Sequence, residues 1–338
     1  MQSKKWLLIF FIFSFSLIGS VGFINYYVDP FNIFSHKNRC NSLAVGFNER
    51  LQKSAYFKFN SPKNYDAILL GSSRATYYDS TLFKGMNLYN FSFSGSIPKE
   101  YDYYLEFAKR NNAKPFSTII LGLDFYTFSS AYKKQKTPQL RHKVSFFFKN
   151  YFTLDTLLYS VVNCKRSLLK TTGHRSYDRE NIVHSDKVNP TKVMALSKTR
   201  SVVYYQTFNA YNQDYKDILM SLKYKNKSSK FIVYTSPLSQ EFLEAIYRDE
   251  KLLKFYYLWL EEIADVFSKV YCFTVPSKFS ENYRKYSLDG EHFYPSITPI
   301  VADILLNKKD IKGYGVILDK ENIKTFIKNG IEKEMVYE

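Results

Sequence analysis

Asp66-Ala67-Ile68-Leu69-Leu70-Gly71-Ser72-Ser73-Arg74 is the stretch on which the reading of this chain turns. Its apolar run ends at a glycine and two serines, the pattern of a buried β-strand that stops at an exposed hydroxyl. Far downstream, Asp289-Gly290-Glu291-His292 puts a carboxylate three residues before a histidine. One turn of backbone lets the Asp289 oxygen accept from the imidazole Nδ1–H. The other ring nitrogen is then free to take a proton from a hydroxyl. Nucleophile, base and orienter in that relation are the parts of acyl transfer.

Between the two motifs, strand and helix signals alternate. Strands are expected at 66–70, 87–93, 117–121, 231–235 and 270–275, and helices at 98–111, 241–267 and 295–306. That alternation argues for an α/β fold with a parallel sheet covered on both faces. Sites in such sheets lie beyond the carboxyl ends of the strands. Ser73, Gly95 and Asp124 each fall just past an expected strand end, and His292 follows the fifth strand. Residues 125–230 break the alternation and read as a helical insertion. Its aromatic-rich part, 145–169, leaves three roles open: capping the sheet, lining a cleft or resting on a membrane. Residues 311–338 read as an appended strand and helix.

Residues 6–28 form a run of 23 without a charge. As a helix this spans about 34 Å, enough for a hydrocarbon core of ~30 Å. Lys4 and Lys5 precede it, which favours a cytoplasmic N-terminus, and Trp6, Tyr26 and Tyr27 stand where interfacial aromatics belong. A cleaved signal peptide would have a shorter apolar region ending in small residues, and Gly19-Ser20-Val21-Gly22 fits that poorly. The expectation is an uncleaved signal anchor over 1–30, with the rest of the chain, an α/β domain over 31–310 above all, outside the cytoplasm.

The 338 residues suffice for a large core without staples. Lys and Arg exceed Asp and Glu by 48 − 31 = 17. The excess is scattered, with no zinc-finger spacing and no arginine-rich arm, so nucleic acid is not an expected partner. Cys40, Cys164 and Cys272 are far apart and form no Cys-x-x-Cys. Unpaired thiols are the expectation, with one long-range bridge as the alternative in an oxidising compartment. His36, His142, His174 and His184 lie in polar surroundings and read as surface residues, so no metal set is expected.

Over residues 66–306, four short blocks resemble the SGNH/GDSL hydrolase superfamily. Its membrane-anchored, surface-polymer-modifying branches are closest, including the D-alanyl transfer proteins of teichoic acid and the alginate O-acetyltransferases. The resemblance implies a flavodoxin-like three-layer sandwich with a five-stranded parallel sheet. Gly71-Ser72-Ser73 stands for the Gly-Asp-Ser block, making Ser73 the nucleophile. The stretch from Asn90 to Gly95 matches the block whose glycine N–H donates to the oxyanion. Gly122-Leu123-Asp124 stands where Gly-x-Asn is expected, and Asp289-Gly290-Glu291-His292 matches Asp-x-x-His.

Two departures matter. Ser72 replaces an aspartate that is not the nucleophile. Asp124 replaces an asparagine that donates to the oxyanion, and an ionised carboxylate can only accept. An oxyanion hole here must therefore draw on Gly95, the Ser73 N–H, and Arg74 or Asn90. The function implied is a serine esterase or O-acyltransferase acting on a cell-envelope glycan, with no cofactor. The alternative is a non-catalytic protein that binds an envelope polymer or a membrane-bound acyltransferase.

Overall fold

The computed structural model describes residues 2–334 except 134, 136, 207 and 209. The chain divides into two compact units, one of 1–63 with 137–186 and one of 64–136 with 187–338. The insertion expected at 125–230 is therefore split. Residues 137–186 belong with the N-terminal unit, and 187–230 belong with the sheet.

The second unit holds a six-stranded sheet, its strands numbered here in chain order: β1 (Ala67–Leu70), β2 (Leu88–Asn90), β3 (Thr118–Leu123), β4 (Lys230–Thr235), β5 (Val270–Cys272) and β6 (Val316–Leu318). Their spatial order is β2-β1-β3-β4-β5-β6. The first five strands are those expected from the sequence, and all pair in parallel. β6 pairs antiparallel to β5, Val270 opposite Leu318. The sheet is thus mostly parallel and one strand wider than expected, because the segment read as an appendage extends it.

Every residue of β1 is buried. Ala67, Leu69, Ile120 and Ile232 share a cluster with Ile297, Val301, Ala302 and Leu305, so helix Thr298–Leu305 covers one face. The alternate residues Ile68, Ile119, Leu121 and Val233 are buried too. A strand buried on both sides reads as a continuous apolar run, as β1 does.

The first unit is built on the helix Gln2–Val28. Among the described residues it is the one helix long and apolar enough to cross a membrane. At its exit Asp29 accepts from the backbone N–H of Ile33 and Phe34 at 3.0 Å each and from Arg179 Nη2 at 2.7 Å. Helices Glu49–Phe59, Lys143–Tyr151 and Leu154–Leu169 follow, with a small antiparallel sheet of Ala44–Val45, Ser176–Tyr177 and Val183–His184. Cys40 and Cys164 form a disulfide, which overturns the expectation of three free thiols for that pair. The loop after Asp29 turns back on helix Leu154–Leu169, bringing two cysteines 124 residues apart together. Cys272 is buried and free.

Candidate active site

β1 ends at Leu70, and the chain turns through Gly71, Ser72 and Ser73 into a short 3-10 helix, Ala75–Tyr77. Asn90, at the end of neighbouring β2, holds this turn. Its amide donates to the carbonyls of Ala75 and Tyr78 at 2.9 Å each. Both donors of Asn90 are thereby used, and its role is to position the loop. The sequence-based expectation that it donates to an oxyanion does not fit this arrangement.

The other half of the site is the loop 287–294. Ser287 and Phe293 face each other in an antiparallel bridge, and Tyr294 N–H donates to Tyr286 O at 2.7 Å. Gly290, at φ +93°, reverses the chain inside it. A Cβ there would also lie 2.3 Å from Ser197 Oγ, so only glycine fits. The reversal lets the Asp289 carboxylate accept from the His292 backbone N–H at 2.9 Å and face the His292 ring.

His292 Nδ1 lies 2.9 Å from Asp289 Oδ2, and Nε2 lies 2.9 Å from Ser73 Oγ. Since an ionised carboxylate only accepts, Nδ1 carries a proton, and in the neutral ring Nε2 is then the acceptor for the Ser73 hydroxyl. Burial pushes the Asp289 carboxyl up, but the facing His292 ring, and then Arg200, outweigh it and hold Asp289 well below the usual carboxylate range. Glu291 is likewise pushed up by burial and drawn down further by His292, Arg74 and Arg200.

A charged network surrounds this relay. Arg74 Nη2 pairs with Glu291 Oε2, and Arg74 Nη1 lies 3.4 Å from Asp124 Oδ1. Ser72 Oγ donates to the other Asp124 oxygen. Arg200 grips the second Glu291 oxygen through Nε, at 3.0 Å, and Nη2, and its Nη1 lies 3.4 Å from Asp289. The Arg74 guanidinium also sits over the Tyr126 ring, 5.3 Å from its centroid. Asp124 is therefore a buried partner of Ser72 and Arg74. Gly95 takes φ +62° in the loop after β2, a left-handed position that suits glycine.

Of the seven residues expected from the sequence, Ser73 and Asp289 each contact His292, one on either ring nitrogen, and Arg74 lies beside Asp124. The sequence reading missed Glu291 and Arg200. Glu291 was visible as the acidic residue beside His292. Arg200 lies 91 residues from its partner on helix Pro190–Gln206, and nothing local marks it. Asp289, Glu291 and His292 also present ligand atoms within 4.8 Å of one another. Two guanidiniums already compensate the carboxylates, so this donor set is poorly suited to a metal cation.

No protein-family model matches this chain, and no curated protein matches it. It is similar to a solved structure from Streptococcus pneumonia described provisionally as a platelet activating factor. The TM-score is 0.37 at 11% identity, covering 77% of this chain and 90% of that one.

Proposed function

We propose that this protein is a membrane-anchored serine esterase or O-acyltransferase of SGNH type, acting outside the cytoplasm on a cell-envelope glycan. The observation that carries the reading is the Ser73–His292–Asp289 relay, with both links at 2.9 Å. Ser73 Oγ attacks an acyl carbonyl while His292 Nε2 takes its proton. Asp289 holds the ring and steadies the imidazolium that forms. The backbone N–H groups of Ser73 and Gly95 donate to the oxyanion. His292 then returns the proton to the leaving alcohol. The acyl group passes from Ser73 to water or to a sugar hydroxyl activated by the same ring.

The N-terminal apolar helix supports anchoring, and the Cys40–Cys164 disulfide supports an oxidising compartment. The glycan substrate and a membrane-bound acyltransferase partner follow from the resemblance of the sequence blocks. A second reading, a non-catalytic polymer-binding protein, is favoured by Asp124, a carboxylate where a donor would serve catalysis.

Labelling of the full chain by a fluorophosphonate separates the two. Reaction of wild type but not of Ser73→Ala supports the enzyme. No labelling of wild type, and no turnover of several acyl esters, supports the binding protein.

A further inference from the structure

Helix Leu154–Leu169 is built inside out. The side chains it buries are Thr156, Ser160, Asn163 and Ser167, all polar and spaced by four, three and four residues. The side chains it exposes include Leu154 at 69%, Leu158 at 65%, Val161 at 57% and Leu168 at 56%. These recur at the same helical spacing on the opposite side. A helix on a protein surface in water has the reverse arrangement. Small polar residues inward and large apolar residues outward is the pattern of helices packed together in lipid.

The inward polar atoms are satisfied within the same unit. Ser160 Oγ donates to Asn25 Oδ1 at 2.7 Å, and the Asn25 amide donates to Tyr151 O at 2.7 Å. Asn163 Oδ1 accepts from Val45 N–H at 2.9 Å, and Ser167 Oγ accepts from Leu43 N–H at 3.0 Å. Asn25 lies in the last turn of Gln2–Val28, so these bonds fix the inverted helix to the end of the apolar helix. Between them runs an apolar crevice of about 490 Å³, lined by Phe23, Ile24 and Tyr27 on one side and Val161, Leu168 and Leu169 on the other. Lys165, at its edge, is exposed.

From these observations we infer that helix Leu154–Leu169 is a second membrane-contacting element, lying in the interface with its Leu154–Leu158–Val161–Leu168 face among the acyl chains. The inference rests on the anchor reading of Gln2–Val28. The occupant is lipid because the exposed face is continuous with that helix. The residues of Gln2–Val28 that line the crevice, Phe23, Ile24, Tyr27 and Val28, belong to its C-terminal end. Counted from Trp6, a hydrocarbon core of ~30 Å ends about there. Soluble surfaces rarely leave a contiguous row of large apolar side chains this exposed to water. Lys165 lies on this same face, between Val161 and Leu168, and Lys170 is the helix C-cap; both are exposed, and their long stems let the ammonium groups reach headgroup phosphates. The consequence is that the chain is held to the bilayer at two places, which fixes the orientation of the N-terminal unit and does not leave it swivelling on a single stalk.

The test uses the full chain in phosphatidylcholine–phosphatidylglycerol nanodiscs. Leu158→Cys, Val161→Cys and, in the anchor, Leu17→Cys are each labelled with an environment-sensitive fluorophore. Cys272 is buried and Cys40 and Cys164 are joined, so the introduced thiol is the one that reacts. Lipids brominated on the acyl chain should lower emission at 158 and 161 at least about twofold, as at 17, while aqueous iodide has little effect, as expected for an apolar face buried ~5–10 Å into the boundary. Quenching at 158 and 161 by iodide alone overturns the inference, because the face is then in water. Protection from both quenchers also overturns it, since a second copy or another protein then covers the face. If position 17 is not quenched by brominated lipid, the anchor reading fails as well, and the two failures are thereby told apart.

Discussion

Arg74 Nη2 and Glu291 Oε2 stand 2.7 Å apart, and both side chains are only 3% exposed. Arg74 follows Ser73 in the chain, and Glu291 precedes His292. This buried ion pair therefore clamps the two loops whose tips must keep Ser73 Oγ and His292 Nε2 at 2.9 Å. Its value lies less in net stability than in register, because removing one partner strands the other charge in a desolvated place.

Glu291→Ala should lower unfolding stability by about 3–5 kcal/mol, the usual effect of breaking a buried pair from one side. Glu291→Asp should recover part of that loss. Urea unfolding of the three proteins checks the order. If Glu291→Ala matches wild type, the clamp has no energetic role.

Asp124→Asn separates two roles for that carboxylate. A donor restored to the oxyanion hole would raise ester turnover. The structure instead puts Asp124 between the Ser72 hydroxyl and the Arg74 guanidinium. The expected outcome is lower turnover and a stability loss of about 1–3 kcal/mol, as for a disturbed buried charge-assisted bond. Kinetics and urea unfolding of the same preparations check it, and a gain in turnover would refute the assignment.

Asp289→Asn should leave the loop nearly intact and still cut acyl turnover by about 10³-fold or more, because an amide no longer fixes the imidazole tautomer. Tight retention of substrate with lost turnover is the expected signature. Comparison of kcat with KM for one acyl ester provides the check.

Acid should weaken the fold through the same loop. The Asp289 and Glu291 carboxyls are held below their ordinary values of 3.8 and 4.5. As pH falls, the unfolded chain therefore takes up these protons before the folded one does. The stability they contribute is complete above about pH 4.5 and is lost progressively below it. Urea midpoints at pH 7, 5, 4 and 3 should drop at the acid end, and less steeply for Asp289→Asn than for wild type.

Reducing the Cys40–Cys164 bridge should destabilise the N-terminal unit. The closed loop is 124 residues long, and the chain-entropy account assigns such a bridge about 2–5 kcal/mol. Thermal unfolding of Cys40→Ser against wild type, with and without reductant, checks this. Reductant should shift only wild type.

Local pattern carried part of this protein without help. The continuous apolar run of β1, its stop at Gly71 and the charge-free stretch 6–28 are signals that short-range physics imposes, and they gave the parallel strands and the apolar helix. Asp289 and His292 were legible for the same reason. Their contact is made within one turn of backbone, so spacing alone predicts it. For helix Leu154–Leu169 the sequence left three roles open, because an apolar stripe looks alike whether it faces a core or lipid. Only the partners of Ser160, Asn163 and Ser167 reveal which side is inside.

Sequence by itself thus determined the residue types of the relay, the strand end that carries Ser73 and the helix capable of spanning a membrane. Tertiary structure decided what Asp124 does, which carboxylate Arg74 pairs with, that Arg200 reaches the site at all, and that Cys40 meets Cys164. The physical reason is common to all four. Each is a contact between segments far apart in the chain, made only once the folded backbone brings the partners together. No local period or spacing encodes that outcome.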